Sequence, residues 1–331
     1  MVTVVHPRNL SLSPAENLYR WVRRAGRRIV DRFFPPDVDW QTIDPRVGMR
    51  YVPNLKPRFV PDADAVFATA WQTAEFVQDL PPGKGAKFYL IQHYETWAGP
   101  KERVDATWRA PLHKAVISQW LFETGRGLGC EDMQYVSYGM NHENFRLLNP
   151  ISNRAKRVAM MFHPFDWKGS PDGLWALSAV KSQHPDLQAV LFGTPRRSES
   201  IPDWIEYYQN PPQRELVSSI YNESSVFVCP SWAEGFGLPP GEAMACGCAV
   251  ASTDCGGVRE FAEHEVTALL SPPRDPEALA RNIARLLEDD GLRQRLANAG
   301  HERIQTFTWK RSTDLLEGFI RKHVARGVAE C

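Results

Sequence analysis

Short runs of β-branched and aliphatic residues alternate with helix-length stretches of mixed polarity along most of this chain. That alternation is the mark of parallel strands joined by helical crossovers. The apolar runs predict strands at 2–5, 65–69, 87–92, 115–118 and 134–137. A second series follows at 157–161, 189–192, 204–208, 225–228, 249–253 and 268–270, with helical stretches such as 171–183 and 276–288 between its members. The stretch 141–156 is polar, interrupted by Pro150, and holds no sustained period, so it separates the two series. The expected fold class is α/β with two Rossmann-like, doubly wound domains, 1–145 and 146–331, and a ligand cleft at the carboxyl ends of the strands.

The final sixty residues are helical in pattern. Asp275 precedes Pro276 as a cap, and Thr308 precedes a helix whose Trp309, Leu316, Phe319 and Ile320 are expected on one face. The chain has 331 residues, 43% hydrophobic and 24% charged, enough for two folded cores and unlike a disordered or fibrous chain. Its 39 basic and 39 acidic residues balance, so no global field draws nucleic acid, and no nucleic-acid partner is expected. No apolar run is long enough to span a membrane, and the first thirty positions carry Pro7, Pro14 and six arginines where a signal peptide would be apolar. These features predict a cytoplasmic protein. The cysteines, Cys130, Cys229, Cys246, Cys248, Cys255 and Cys331, include no C-x-x-C pair and read as buried thiols, with neither disulfides nor a metal site expected.

Two local features leave alternatives open. Arg20, Arg23, Arg24, Arg27, Arg28 and Arg32 share a predicted helix with Leu18, Trp21, Val22, Ile29 and Val30. Either its apolar side packs on the first sheet with the arginines solvated, or the basic side meets an anionic membrane from the cytoplasmic face. The triplets Asp37-Val38-Asp39 and Asp62-Ala63-Asp64 have the form of a metal-binding carboxylate pair. Pro35-Pro36 before the first, and a strand after the second instead of before it, favour turns and loops.

The chemistry concentrates in Ser225 to Gly247, a strand, a glycine-bearing loop and a helix opened by Pro239 and Pro240. The amides of Gly235, Phe236, Gly237 and Leu238 precede that helix, so loop and helix dipole together form a site for an anion, most naturally a diphosphate. Glu234 and Glu242 bracket the loop eight positions apart, where carboxylates can accept hydrogen bonds from sugar hydroxyls. The glycine spacing G-x-G-x-x-x-G, with two prolines inside, departs from the dinucleotide fingerprint and speaks against hydride transfer.

Glu234-Gly-Phe-Gly-Leu-Pro-Pro-Gly-Glu242-Ala-Met-Ala resembles the Glu-x7-Glu signature of retaining glycosyltransferase family 4. The likeness continues through Thr253-Asp-Cys-Gly-Gly-Val-Arg-Glu260 and Phe165-Asp-Trp-Lys-Gly169. It implies the GT-B architecture, with a nucleotide-sugar donor held by the second domain and an acceptor by the first, and a C-terminal helix returning to the first domain. It further implies that Glu242 binds the donor ribose, that Glu234 lies beside the hydroxyls of the transferred sugar, and that Lys168 neutralises the departing diphosphate. Alone, Lys168 would read as a surface lysine. The family's arginine five positions before that lysine is replaced by His163, a donor-site candidate in its place.

His93 ends the strand at 87–92 as the family's histidine does, which implies a donor-sugar contact. Taken alone, a histidine at a strand end reads as a structural residue. Tyr207, Tyr208 and Asn210 could hold the nucleobase by stacking, with core packing of the tyrosines equally open. A second departure is His6 to Pro14, which lacks the glycine-rich loop usual after the first strand. The expected activity is metal-independent hexosyl or deoxyhexosyl transfer, without cofactor, from a nucleotide sugar to a glycan, lipid-linked or small-molecule acceptor. A non-catalytic nucleotide-sugar scaffold and a GT-B epimerase are the alternatives.

Overall fold

The computed structural model describes residues 1–7 and 43–329. The arginine-rich stretch from Arg20 to Arg32, the triplet Asp37 to Asp39 and the segment after Pro7 lie outside the described residues. The chain divides into two compact units: Met1–Leu90 with Glu95–Lys114 and Ile320–Cys331, and Ile91–Tyr94 with Ala115–Phe319.

In the first unit β1 (Val2–Pro7) pairs in parallel with β2 (Val47–Val52), Val2 opposite Val47 and Pro7 opposite Val52. Strand β2 escapes the sequence pattern because Gly48 and Arg50 interrupt its apolar residues. A separate sheet has β3 (Ala65–Ala68), β4 (Ala86–Ile91), β5 (His113–Val116) and β6 (Met133–Tyr135) in that order, β3 falling in the first unit and β6 in the second. Helices α1 (Trp71–Val77), α2 (Lys101–Arg109) and α3 (Gln119–Gly127) alternate with these strands. Phe88 and Trp108 are fully buried, and Phe67 stacks on Phe88 with centroids 4.7 Å apart. Asp62 to Asp64 is loop, and exposed Asp62 pairs with Lys84 at 2.7 Å.

The second unit is built on six parallel strands: β7 (Arg157–Met161), β8 (Gln188–Gly193), β9 (Ile205–Gln209), β10 (Val226–Cys229), β11 (Ala249–Thr253) and β12 (Leu269–Ser271). Their spatial order is β12-β11-β10-β7-β8-β9. Strands buried on both faces need continuous apolar runs, and Val226, Phe227 and Val228 are an example. The chain reverses its direction of propagation between β7 and β10, so the loops leaving these two strands part and open a crevice at their carboxyl ends. Helices α4 (Ser170–Gln183), α5 (Leu238–Ala245), α6 (Pro276–Glu288), α7 (Asp290–Gln305) and α8 (Trp309–Ala329) complete the unit's crossovers and the C-terminal run.

Asp275 accepts from the Ala278 amide at 2.8 Å, which is the cap expected before Pro276, and Asp289 caps α7 in the same way. In α8 the expected shared face is only partly realised. Ser312, Phe319 and His323 are buried, Leu316 and Ile320 half-buried, and Trp309 stands 47% exposed at the helix start. Ile320 onward groups with the first unit, as expected of a helix returning to it.

Candidate active site

Two loops from the reversal point carry the candidate residues. After β7, the chain runs through His163 and a single 3-10 turn, Asp166–Lys168, to Gly169, which takes φ +62° before α4. A Cβ on Gly169 would lie 2.0 Å from the Pro230 carbonyl oxygen, so glycine is required for this loop to meet the one after β10. The contact places Lys168 against Glu234. The ammonium lies 2.8 and 3.0 Å from the two carboxylate oxygens, and the Ser231 hydroxyl donates to Oε1 at 2.7 Å.

Glu234 is itself pinned through its backbone. Its amide donates to the Cys255 carbonyl at 2.8 Å and its carbonyl accepts from Gly257 at 3.1 Å, tying the loop after β10 to the glycine pair after β11. The fit is tight. A Cβ on Gly257 would come within 2.5 Å of the Phe236 nitrogen, and one on Gly235 within 1.9 Å of the Gln92 carbonyl oxygen. Gly237, at φ +91°, turns the chain into α5. The amides of Phe236, Gly237 and Leu238 donate to no backbone or side-chain acceptor among the described residues. They sit at the positive end of α5, where prolines occupy the next two positions and offer no N–H. The arrangement suits an anion. Phe236 is only 2% exposed and its ring packs on Phe261 and Phe307, so the ring belongs to the core beneath the loop.

Glu242 lies in the first turns of α5, and the Tyr221 hydroxyl donates to its Oε2 at 3.0 Å. Burial pushes the Glu242 carboxyl up to about 7, with the Tyr221 hydrogen bond acting against the shift. His163 lies at the base of the other loop. Its backbone amide and carbonyl both bond to the Ser170 hydroxyl at 2.8 Å, and its Nδ1 accepts from the Phe165 amide at 3.2 Å. An accepting Nδ1 leaves the proton on Nε2, so the neutral ring presents a donor. Burial holds His163 below the usual histidine range, and Lys168 adds to that effect.

His93 falls in the same unit as these residues. It follows Gln92, whose carbonyl crowds Gly235, and burial lowers its pKa while the neighbouring carboxylate of Glu234 pulls the other way. Its ring meets Trp120 edge-on at 5.7 Å, and the Trp120 indole N–H donates to the Gly235 carbonyl at 3.1 Å.

The structure therefore brings together Lys168, Glu234, His93, His163 and the Gly235–Leu238 loop, with Glu242 on the helix that follows. Tyr208 stands apart. It lines a pocket with Arg157 and Glu206, and Glu206 raises its hydroxyl's pKa first, through a hydrogen bond. Tyr207 turns to the Pro195 carbonyl at 2.7 Å and packs edge-on against Phe162. Nothing in the sequence motif marks Ser231, Tyr221 or Trp120, although each makes a direct hydrogen bond to a motif residue. Tyr221 sits in a π-helical turn, Leu216–Tyr221, twenty-one positions before its partner, and Trp120 is 115 positions from Gly235.

Residues 149–303 match the family described as Glycosyl transferases group 1. Among curated proteins, the D-inositol 3-phosphate glycosyltransferase of Corynebacterium diphtheriae is 28% identical over 206 residues, 58% of this chain and 48% of that protein. The enzyme of the same name from Saccharomonospora viridis is 37% identical over 123 residues, 36% of this chain and 28% of its own. The chain thus spans about half or less of the length of these relatives. Among solved structures, sucrose-phosphate synthase from Thermosynechococcus elongatus superposes with a TM-score of 0.71 at 20% identity, covering 98% of this chain and 99% of the other. Anabaena HepE, solved in complex with UDP-glucose, gives 0.63 at 16% identity over 81% and 79%. At these identities the likeness speaks for the fold, α/β of the GT-B architecture with two parallel-sheet Rossmann-like units. No helix among the described residues is long and apolar enough to cross a membrane.

Proposed function

We propose that the chain, whose residues 149–303 match the family described as Glycosyl transferases group 1, is a retaining, metal-independent glycosyltransferase using a nucleotide-diphosphate sugar. The observation that carries this is the Lys168–Glu234 pair at the reversal point of the second sheet, beside a loop whose amides and helix dipole face no acceptor of the protein's own. Cleaving a sugar–diphosphate bond sends its electron pair onto the leaving phosphate. Lys168, the amides of Phe236 to Leu238 and the α5 dipole supply the positive potential that this charge needs.

In the transfer, the bond between C1 of the sugar and the phosphate oxygen breaks, and C1 bonds to the acceptor oxygen on the same face. The acceptor's proton passes to the departing phosphate oxygen. Glu234 accepts from hydroxyls of the transferred sugar, Glu242 from the ribose, and His93 and the Nε2–H of His163 contact the sugar and the diphosphate. The second domain, 146–331, holds the donor and the first, 1–145, the acceptor, a hexosyl- or deoxyhexosyl-accepting glycan, lipid-linked or small-molecule hydroxyl. A lipid-linked acceptor would give the arginines from Arg20 to Arg32 a purpose at an anionic membrane.

HepE's complex makes UDP-glucose the first donor to try. Thermal shifts against uridine, guanosine and adenosine diphosphates should single out one base, since a ligand at 100 times its Kd adds about 2.7 kcal/mol of stability. Turnover of the matching sugar donor should then depend on Lys168. If no nucleoside diphosphate raises the melting temperature, the donor-binding reading is wrong.

A further inference from the structure

The second unit carries another pocket, of about 430 Å3, whose walls include Trp120, Tyr135, Arg259, Arg303, Phe307 and Arg311. Its carboxylates are engaged or in solvent. Glu260 is 7% exposed, and its two oxygens accept from the Gln119 amide at 2.5 Å and from the Tyr135 hydroxyl. Glu123 is two-thirds exposed and lies 3.9 Å from Arg126. The guanidinium groups retain donors. Arg259 spends Nε and Nη2 on Asp254, and Arg303 gives one N–H to the Glu260 carbonyl at 2.8 Å while lying 5.3 Å from the centre of the Phe307 ring. Arg311 makes no side-chain hydrogen bond or ion pair with any described residue.

Three exposed arginines line one cavity, Arg259 paired with Asp254 and Arg303 and Arg311 in no ion pair with a described residue, and the cavity has no uncommitted buried carboxylate, a lining that suits a phosphate. The volume falls within the range of small-molecule sites and exceeds what a bare phosphate fills. Aromatic walls suit the C–H face of a saturated ring. One wall is shared with the donor site. Trp120 donates to the Gly235 carbonyl, its ring lies about where a Cβ on Gly256 would sit 3.1 Å away, and it meets His93 edge-on.

We propose that this pocket is a second ligand site, for a phosphorylated polyol of the size of a sugar or cyclitol monophosphate, and that Trp120 couples its occupancy to the donor loop. A ligand packed on one side of the indole fixes the ring whose N–H holds Gly235, so it changes the affinity of the loop for the nucleotide; by linkage, the nucleotide changes the affinity of this pocket by the same factor.

Calorimetric titration of the full chain with glucose 6-phosphate, glucose and inorganic phosphate tests this, first without nucleotide and then with saturating nucleoside diphosphate. Glucose 6-phosphate is expected to bind at a single site, at least roughly tenfold tighter than glucose or phosphate alone, and not to be displaced by the nucleotide. Arg311→Gln should weaken it by roughly tenfold or more and leave nucleotide binding unchanged. Trp120→Phe should keep glucose 6-phosphate binding but abolish its effect on nucleotide affinity. The proposal is overturned if glucose 6-phosphate gives no heat, if glucose or phosphate binds as tightly, if the nucleotide displaces it, or if Arg311→Gln changes nothing. Because the first titrations contain no nucleotide, they read this pocket even if the glycosyltransferase reading fails.

Discussion

The ammonium of Lys168 lies within 3.0 Å of both carboxylate oxygens of Glu234, sixty-six positions away in the chain. The two residues expected to serve the leaving diphosphate and the transferred sugar therefore neutralise each other. On the proposed function, a donor entering the site would share the lysine. That exchange would be favoured as negative charge grows on the phosphate during bond cleavage, which would make Lys168 worth more in the transition state than in the resting complex.

Lys168→Ala should lower kcat by roughly 10²-fold or more, the cost typical of removing one electrostatic stabiliser of a developing anion. Steady-state kinetics at saturating donor read this directly. A variant with near-normal kcat would return Lys168 to the role of a structural partner of Glu234.

Glu234→Gln should also depress turnover, through the lost acceptor for sugar hydroxyls, but its effect on the bare nucleoside diphosphate should run the other way. With the carboxylate gone, Lys168 is released to the phosphates, so the affinity for the sugar-free diphosphate should stay the same or tighten. Calorimetry with the bare diphosphate decides the matter. A clear loss of affinity would mean that Glu234 holds the nucleotide and not the sugar.

Much of this site was readable in the chain because its parts are local. Glycines, prolines and two glutamates at fixed spacing in Ser225 to Gly247 encode a strand, a tight loop and a helix start, and the strands at 157–161 and 249–253 appear at those very residues. What stayed hidden is what folding brings from afar. Tyr221 beneath Glu242, Trp120 on Gly235 and the Gln92 carbonyl against Gly235 are contacts whose partners carry no local signature. Tyr208 could be read from the sequence only as a tyrosine at a strand's end; that its hydroxyl meets Glu206 and Arg157 follows from the strand, because alternate residues share a face and Glu206 lies two positions away. Strand β2 carries no clear apolar pattern, since a two-stranded pairing tolerates Gly48 and Arg50 where a buried central strand would not.

Two glycines separate crowding from freedom. Gly235→Ala would set a methyl carbon 1.9 Å from the Gln92 carbonyl oxygen, a clash that only backbone movement relieves, so donor-dependent activity should be lost and the melting temperature should fall. Gly127→Ala, at the end of α3 with nothing within 4 Å, should instead stabilise the protein by about 0.5–1 kcal/mol with activity unchanged. Equal tolerance of both substitutions would show that the loop after β10 does not close on Gln92 as described.

Glu242 makes the site sensitive to pH in a direction that can be derived. Burial raises its carboxyl from 4.5 to about 7 in the folded chain, whereas the unfolded chain ionises it near the ordinary value. Between these two values the folded state holds a proton that the unfolded state has released. Stability from this group is therefore fully present below pH 4.5 and is lost as pH rises through 7. The shift corresponds to up to roughly 3 kcal/mol, and Glu242→Gln, which cannot ionise, should recover it: the variant's stability relative to the parent should climb from pH 4.5 to 8. Nucleotide binding should move oppositely. A ribose hydroxyl donates best to the ionised carboxylate, so the parent's affinity for the bare diphosphate should rise from pH 6 to 8 with release of a proton. The Gln variant should bind more weakly by about 1.5–3 kcal/mol at pH 8, and should lose that component of the pH dependence. His163 and His93, both held below the usual histidine range, titrate in parent and variant alike, so the difference between the two curves isolates Glu242. Calorimetry in two buffers of different ionisation enthalpy counts the proton. Identical pH profiles for parent and variant would place the ribose elsewhere and leave Glu242 as a buried partner of Tyr221 alone.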